Sequence, residues 1–478
     1  TLVCIRSAPM SSELPPPKPG DRAPRQEQLG PNYAVRRAMV AGAAVIVTAL
    51  AVAAAVIAIR GERDGDDGGV TTWDAVALIN RDNGAVRVVD GDGEEIATIR
   101  GTGRVEAVFN SGDRLALVGA TQIALVGLDG ADPIVVPIEQ GSTVSRVATS
   151  HSFTLVVSPA ASGNLTLIDA TDGTQLDVGA LAEQTNPMLI TDSIRADSDG
   201  TAFAIGDGRN FQTVVVRFGQ TDATFFPDVP MAVADDLVVT AQTVGRSAEL
   251  GLFGADGERR ASVASEERPI GGLVDGDRFV FVSETGAIFE ATADADTPRR
   301  LGVIALPTGD VVQSVWPALD GARLVAAGSG FLAVVDLDGT TLFQTTFATA
   351  TATLTPTPTW RCVPVGGSGV FTALVDLSTG DTVADLRGAD VTAVSADGCG
   401  VQLAGDGGRS VVTPVGSTVL PAAVSTAWIA PDASAAVLVD TGSIASLVRI
   451  GDGGAGDDAG PAPVELGEVD GLIAFLDR

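Results

Sequence analysis

The histidine at position 151 is the residue whose setting most resembles a catalytic site. It is the only histidine among 478 residues, and it lies between Ser150 and Ser152. A serine–histidine pair activates a hydroxyl only when the base and an orienting carboxylate are assembled around it in space. In this chain Thr149–Ser152 stands where a repeated pattern elsewhere has turns such as Asn110–Asp113. We therefore predict that His151 is an exposed turn residue, and the sequence assigns no catalytic residue.

Aspartate-rich stretches raise the question of a calcium site. Calcium takes six to eight oxygen ligands from a loop that curls around it, and the spacing D-x-[DN]-x-[DN]-G-x5-E is the usual sequence sign. None of the acidic stretches matches that spacing: Asp90–Glu95, Asp197–Gly200, and Asp452 with Asp457 and Asp458. Aspartate is common in turns because its side chain bonds the backbone two residues on. We predict ordinary turns and no metal site.

The cysteine content limits both metal and redox chemistry. Three cysteines and one histidine are too few for the usual zinc site built from these residues alone. Cys362 and Cys399 fall near the starts of second strands in consecutive repeat units, described below. A disulfide between them requires Cα atoms within about 7 Å, which a sequence cannot show. They are a candidate disulfide, and the pairing stays open here.

The overall composition excludes several classes of protein. A net charge of −30, from 30 basic and 60 acidic residues, excludes a general nucleic-acid binder, which needs a basic face. A hydrophobic fraction of 45% excludes a wholly disordered chain. The 57 glycines and 25 prolines favour many short strands with tight turns over a helical protein.

One uncharged run near the N-terminus predicts a transmembrane helix. Residues 38–59 contain no charged side chain over 22 residues. As a helix that run would be about 33 Å long, enough to cross a hydrocarbon core of about 30 Å. A cleavable signal peptide is the alternative, but its apolar region is shorter, about 7–15 residues. An uncleaved anchor is therefore favoured, with the lipid bilayer as a partner through residues 38–59.

The flanks of this run predict its orientation and the domain limits. Arg36 and Arg37 directly precede it, so the N-terminal side is expected in the cytoplasm and the rest outside the cell membrane. We expect a disordered cytoplasmic tail over residues 1–37 and a linker over 60–71. Met10 is a natural start, which leaves residues 1–9 as a candidate upstream extension. Residues 72–478 are expected to form the extracytoplasmic domain.

The extracytoplasmic region repeats a unit of about 40 residues. Its clearest example is 311–344, where four apolar or alternating runs are separated by the turns Asp320–Gly321, Gly328–Gly330 and Asp338–Gly339. Four runs joined by three tight turns predict a four-stranded antiparallel meander. Units of the same kind begin near residues 104, 144, 190, 230, 269, 350, 391 and 424. Residues 346–359, with two prolines, are the least regular part of the pattern.

The ends of the third strands carry a family resemblance. Leu167–Gly173, Val335–Gly339 and Val375–Gly380 each contain apolar residues, an aspartate and then a turn closed by glycine. These endings resemble the repeats of the quinoprotein-dehydrogenase-like, YVTN and WD40-like β-propellers. The resemblance implies an all-β fold, a multi-bladed propeller of four-stranded antiparallel blades. We expect between seven and ten blades.

The same resemblance brings a quinone cofactor into question. Dehydrogenases of that family place a calcium shell and usually a tryptophan in the central funnel. The tryptophans of this chain fall in different units, at positions 73, 316, 360 and 428. No such constellation can be assigned, so we expect no cofactor.

The two ends of the repeat region complement each other. Residues 73–80, 86–90 and 95–99 resemble a second, third and fourth strand without a first. Residues 471–478 resemble a first strand without the rest of its unit. Pairing 471–478 with 73–80 would complete one blade from both termini and remove two exposed edges. We predict that the ring closes in this way.

These features favour an interaction or ligand-binding module, held by one membrane helix outside a bacterial cell, with an unknown protein or envelope ligand as its partner. Propellers present rigid loops around one face, so binding requires no special residues. One alternative is a hydrolase or lyase with carboxylates in the funnel. Another is a structural subunit of a cell-envelope complex. Clustered carboxylates of raised pKa in the funnel would favour the enzyme, and a scattered acidic rim would favour binding.

Overall fold

The description of the fold rests on a computed structural model. It covers residues 73–110, 114–127, 132–148, 153–159, 164–182, 187–319, 321–347, 351–352, 357–367, 370–405, 408–450, 463–469 and 471–477. All of these belong to one compact unit, Arg63–Arg478. The predicted membrane helix over 38–59, the tail and linker, and His151 lie outside the described residues.

The described residues form nine antiparallel sheets, which we number along the chain. Sheet 1 contains β1 (Trp73–Asn80), β2 (Val86–Asp90), β3 (Glu95–Ile99) and β39 (Gly471–Asp477). Sheet 2 contains β4 (Ala107–Asn110), β5 (Arg114–Val118), β6 (Gln122–Gly127) and β7 (Ile134–Pro137). Sheet 3 contains β8 (Thr143–Ala148), β9 (Phe153–Ser158), β10 (Thr166–Asp169) and β11 (Gln175–Asp177), and the short helix α1 (Val178–Leu181) follows it.

The next four sheets have the same four-stranded form. Sheet 4 contains β12 (Leu189–Ala196), β13 (Ala202–Asp207), β14 (Gln212–Arg217) and β15 (Thr224–Pro227). Sheet 5 contains β16 (Val229–Val233), β17 (Leu237–Val244), β18 (Ser247–Gly254) and β19 (Arg259–Ser265). Sheet 6 contains β20 (Pro269–Asp275), β21 (Arg278–Ser283), β22 (Ala287–Thr292) and β23 (Arg299–Val303). Sheet 7 contains β24 (Ser314–Ala318), β25 (Arg323–Ala327), β26 (Phe331–Asp336) and β27 (Thr341–Thr346).

Sheet 8 is larger than the others. It contains β28 (Thr351–Ala352), β29 (Cys362–Gly367), β30 (Val370–Asp376), β31 (Thr382–Val394), β32 (Val401–Gly405), β33 (Gly408–Thr413) and β34 (Gly416–Val419). Sheet 9 contains β35 (Val424–Ile429), β36 (Ala435–Asp440), β37 (Ile444–Arg449) and β38 (Val464–Glu468). Each of the nine repeat starts expected from the sequence coincides with the first strand of a four-stranded meander.

The seven strands of sheet 8 comprise two meanders that share β31. The N-terminal part of β31 pairs with β30, and its C-terminal part, Asp390–Val394, pairs with β32. Between the two parts the chain bulges at Leu386–Gly388, where Arg387 and Gly388 both have positive φ, 55° and 71°. We call the two meanders 8a (β28 to the bulge) and 8b (Asp390 to β34). The repeats expected from residues 350 and 391 are thus present, but one continuous strand joins them.

Hydrophobic packing between neighbouring sheets forms the core. Second and third strands are buried on both faces; β13, for example, is buried along its whole length. Leu155 of sheet 3 packs with Leu125 of sheet 2 in one cluster, and Val76 of sheet 1 packs with Val437 of sheet 9 in another. Clusters of this kind join every pair of successive sheets in the described part of the chain, as well as 8a to 8b. The sheets therefore form a closed ring, which is a β-propeller.

The order of strands within each sheet sets the inside and outside of the ring. First strands of neighbouring sheets lie next to one another, as β12 lies beside β16 and β16 beside β20. They therefore form the inner wall. Each sheet then runs outward, and its fourth strand lies at the outer rim.

The ring closes through both ends of the described chain, as the sequence predicts. β39 pairs antiparallel with β1, with Asn80 opposite Gly471 and Val76 opposite Phe475. The strand order in sheet 1 is β3-β2-β1-β39, so the C-terminal segment supplies the first strand. The Phe475 ring packs edge-on against Trp73, with centroids 5.2 Å apart.

No helix in the part of the chain that the structure describes is long and apolar enough to cross a membrane. The anchor predicted over residues 38–59 remains an expectation.

Candidate functional site

The acidic stretches that the structure describes act as turns. The Asp90 carboxylate accepts hydrogen bonds from the amides of Asp92 and Glu94, both at 2.9 Å. The Asp197 carboxylate accepts from the amides of Thr201 and Ala202. Within the described ranges, no three or more His, Cys, Asp and Glu side chains are placed to hold a metal ion together. Asp452, Asp457 and Asp458 lie outside those ranges, as does His151.

The candidate disulfide is formed. Cys362 and Cys399 are joined, with their Cα atoms 4.8 Å apart. Cys362 begins β29, the second strand of meander 8a, and Cys399 lies two residues before β32, the second strand of 8b. The bond therefore fastens 8a to 8b. The neighbouring turn is held by the Asp397 carboxylate, which accepts hydrogen bonds from the Ser395 hydroxyl and the Cys399 amide.

The four tryptophans belong to the core. Trp73 is buried between sheets 9 and 1, where Trp428 packs against the same cluster. Trp360 is buried between sheets 7 and 8, with Trp316 against it. They stabilise two interfaces between sheets.

Carboxyl groups of raised pKa lie in separate places. Burial raises the pKa of Asp228, and the nearby Glu249 charge adds to the effect. Partial burial and the neighbouring Asp197 raise the pKa of Asp235. Burial also raises the pKa of Asp397. The first two lie at opposite ends of β16, whereas the third lies in sheet 8, so these groups do not converge on one site.

A recurring contact closes the outer rim between sheets. The turn between the third and fourth strands of one sheet packs on the fourth strand of the sheet before it. A Cβ added at Gly339 in sheet 7 would lie 2.5 Å from Leu301 Cβ of sheet 6, and one at Gly380 would lie 2.7 Å from the Leu342 carbonyl of sheet 7. Gly93, Gly173 and Gly257 approach the preceding fourth strand in the same way. These glycines all have positive φ, which explains why the repeated turn ends in glycine.

The junction between 8a and 8b lacks this rim contact. There the turn is Pro414-Val415, shorter than the aspartate-containing turns elsewhere, and a Cβ added at Gly416 would have no atom within 4 Å. A groove of about 640 Å³ opens in its place. Its walls are Val383–Ala389 of β31, Leu403 of β32, and residues of the 408–419 hairpin. We call this feature the rim groove.

The rim groove combines apolar and basic side chains. Leu386, Leu403 and Val412 are buried at its floor, where they also belong to the cluster between 8a and 8b. At its mouth Val415 is 61% exposed and Val419 is 73% exposed. Exposed apolar side chains around a concave surface are typical of interaction sites.

Arg387 and Asp385 carry the charge of the groove. Arg387 is presented by the bulge in β31, and its amide donates to the Asp385 carboxylate at 2.8 Å. Arg409 Nη1 donates to the Val424 and Ser425 carbonyls at 3.3 and 2.8 Å, which holds this guanidinium against β35 of sheet 9. The Arg387 side chain is exposed, on a chain of net charge −30. It favours an acidic ligand over a basic one.

Three glycine-to-alanine variants test the rim contact. We expect Gly339→Ala to lower the free energy of unfolding by about 3 kcal/mol, because left-handed backbone strain adds to a clash with Leu301. Gly321 has positive φ but open space around it, so Gly321→Ala is expected to lower the free energy of unfolding by about 1 kcal/mol. Gly416 has neither positive φ nor an atom close to an added Cβ, so Gly416→Ala is expected to change the free energy of unfolding by no more than about 0.5 kcal/mol. Denaturant titration measures all three, and equal losses would show that the rim contact is not what constrains Gly339.

The repeated turn departs from its usual sequence at the place where the groove lies. The third strand of 8b ends in Val411-Val412-Thr413-Pro414, without the aspartate that follows the apolar residues in Val335–Gly339 and Val375–Gly380. This departure marks the shortened turn. The sequence gives no comparable sign of the bulge at Arg387. Arginine rarely adopts positive φ, so its presence does not predict a bulge.

No protein-family model and no curated protein matches the chain. Among solved structures it matches BamB from Moraxella catarrhalis, with 10% identity over 64% of this chain and 98% of that one, at a TM-score of 0.38. It also matches the computationally designed Ika8 protein, with 14% identity over 65% of this chain and 96% of that one, at a TM-score of 0.37. Similarity at this level says nothing about function, and the assignment as a propeller rests on the sheet topology described above.

Proposed function

We propose that this chain is a docking protein of the bacterial cell envelope. In this proposal a single helix over residues 38–59 anchors it in the membrane, and the propeller binds a protein partner on the outer side. The rim groove is the observation that carries the proposal, because it exposes Val415, Val419 and Arg387 where a glycine-closed turn covers the rim at five other junctions. The 22 uncharged residues of the N-terminal run support the anchor.

The disulfide supports the location. Disulfides persist in oxidising compartments and are rare in the cytosol. Cys362 and Cys399 would therefore be expected to pair in a propeller that lies outside the membrane. The same location follows from Arg36 and Arg37 on the other side of the uncharged run.

The enzyme alternative is less well supported. A hydrolase or lyase needs carboxylates assembled around one substrate position, and raised pKa values commonly mark such groups. The carboxyl groups of raised pKa do not cluster. Asp228 precedes β16 of sheet 5, Asp235 follows β16, and Asp397 lies in sheet 8. This distribution favours a binding role.

A pair of matched variants tests the docking function. Val419→Asp places a charge in the rim groove, whereas Val303→Asp changes a valine that is 52% exposed on the fourth strand of sheet 6. Full-length protein is purified from solubilised membranes, and the envelope proteins that accompany it are identified. We expect Val419→Asp to lose partners that the wild type and Val303→Asp retain. Retention of the same partners by Val419→Asp would contradict docking at the groove.

A further inference from the structure

We propose that the rim groove receives an acidic, glycine-containing turn from a partner protein. The partner would thereby supply the rim contact that this chain makes for itself at other junctions. This inference rests on the proposed docking function and specifies the chemistry of the segment that docks.

At other junctions a glycine-closed turn fills the equivalent place. In sheet 7 the turn Asp336–Gly339 packs its glycine on the backbone of Leu301 and Gly302. In 8a the turn Asp376–Gly380 packs on Leu342 in the same way. A fourth strand in this propeller is therefore a surface to which a glycine-closed turn fits closely. In 8a that strand is the N-terminal part of β31, and it is the wall of the groove.

The corresponding turn of 8b does not reach that wall. Thr413 pairs directly with Gly416, so only Pro414 and Val415 form the loop. The space left, about 640 Å³, lies within the range of pockets that hold a small ligand or a few residues of peptide. Val415 and Val419 are left exposed on its border. A turn seated in the groove would cover both valines.

The charge of the groove also favours an acidic turn. The turns that fill five other junctions carry aspartates, and here the receiving surface carries Arg387, with the Asp385 carboxylate bonded to its amide. The exposed Arg387 forms no ion pair within the described ranges. Opposite charges across an interface favour the correct partner and disfavour like-charged ones. An acidic turn can pair with Arg387, whereas a basic turn would be repelled by it.

A synthetic peptide with the sequence of residues 334–342, Val-Val-Asp-Leu-Asp-Gly-Thr-Thr-Leu, provides the probe. It copies the turn that fills the junction between sheets 6 and 7. Fluorescence anisotropy with the labelled peptide and the full-length protein in detergent measures binding. We expect saturable binding that weakens with added salt, because exposed ion pairs are screened. A peptide with lysine in place of both aspartates should not bind.

Variants of the protein locate the binding. Arg387→Glu and Val419→Asp are each expected to weaken binding by about tenfold or more, through lost charge and apolar complementarity. Arg81→Glu, on the exposed turn between β1 and β2, and Val303→Asp serve as controls and should bind as the wild type does. Arg387 is exposed on a bulge, so its substitution should leave the melting temperature unchanged and exclude misfolding as the cause.

Other outcomes would overturn the inference. Absence of saturable binding, or equal binding of the lysine peptide, would show that the groove does not select an acidic turn. Self-association that Val419→Asp abolishes, seen by sedimentation, would show that a second copy of the chain is the occupant. If the peptide fails to bind but Val419→Asp still loses its envelope partners, the docking function stands and only the acidic turn is wrong. If neither effect is seen, both proposals fail.

Discussion

A chain that ends at Val469 is expected to lose most of its folding stability. This truncation removes β39, in which Ile473, Phe475 and Leu476 are buried. Each such side chain contributes about 1.5–3 kcal/mol by burial, so the loss is about 5–9 kcal/mol before the hydrogen bonds to β1 are counted. Single domains are commonly stable by only about 5–15 kcal/mol. We therefore expect the melting temperature to fall by many degrees.

The truncation should also promote aggregation. Without β39, the strand Trp73–Asn80 becomes an apolar edge with unpaired backbone groups, which is a template for pairing between chains. Deletion of Arg478 alone is the matched control, because it follows β39 and should leave the melting temperature unchanged. Light scattering and thermal denaturation distinguish the two chains. If the chain ending at Val469 has the same melting temperature as the full-length protein, the closure through sheet 1 does not stabilise the ring.

The repeat architecture could be predicted because its signals are local. Turns such as Asp336–Gly339 require an aspartate and a glycine within a few residues, and each buried strand shows its apolar run directly. The closure was also predictable, because Trp73–Asn80 lacks a first strand and residues 471–478 supply one. Both inferences use only the order of strands along the chain.

The rim groove could not be predicted because it depends on distances between separate repeats. Whether the turn at Pro414 reaches the strand at Thr382–Leu386 is decided by the angle between two meanders, which no local pattern encodes. The continuous strand β31 depends on Arg387 adopting a left-handed conformation that arginine seldom takes. The pKa values of Asp235 and Asp397 likewise depend on burial and on neighbours outside their own turns. The sequence could therefore place the repeats but not the irregular junction.

The double variant Cys362→Ala/Cys399→Ala is expected to lower the free energy of unfolding by about 3–4 kcal/mol. The cysteines are 37 residues apart, and a crosslink over that span restricts the unfolded chain by about this amount in the loop-entropy model. The control is Cys4→Ala, which changes the third cysteine and should leave stability unchanged. Denaturant titration under non-reducing conditions measures both.

The same variant should loosen one junction more than the rest. At five other junctions a glycine-closed turn packs on the preceding sheet at the outer edge, but between 8a and 8b that contact is missing and the rim groove lies open. The disulfide near the starts of β29 and β32 therefore fastens two meanders that no rim contact joins. We expect hydrogen exchange in residues 383–389 and 408–419 to accelerate in the double variant, while residues 331–346 of sheet 7, whose turn retains its rim contact, change little. Uniform acceleration across both regions would show that the disulfide stabilises the ring as a whole and does not compensate for the open rim.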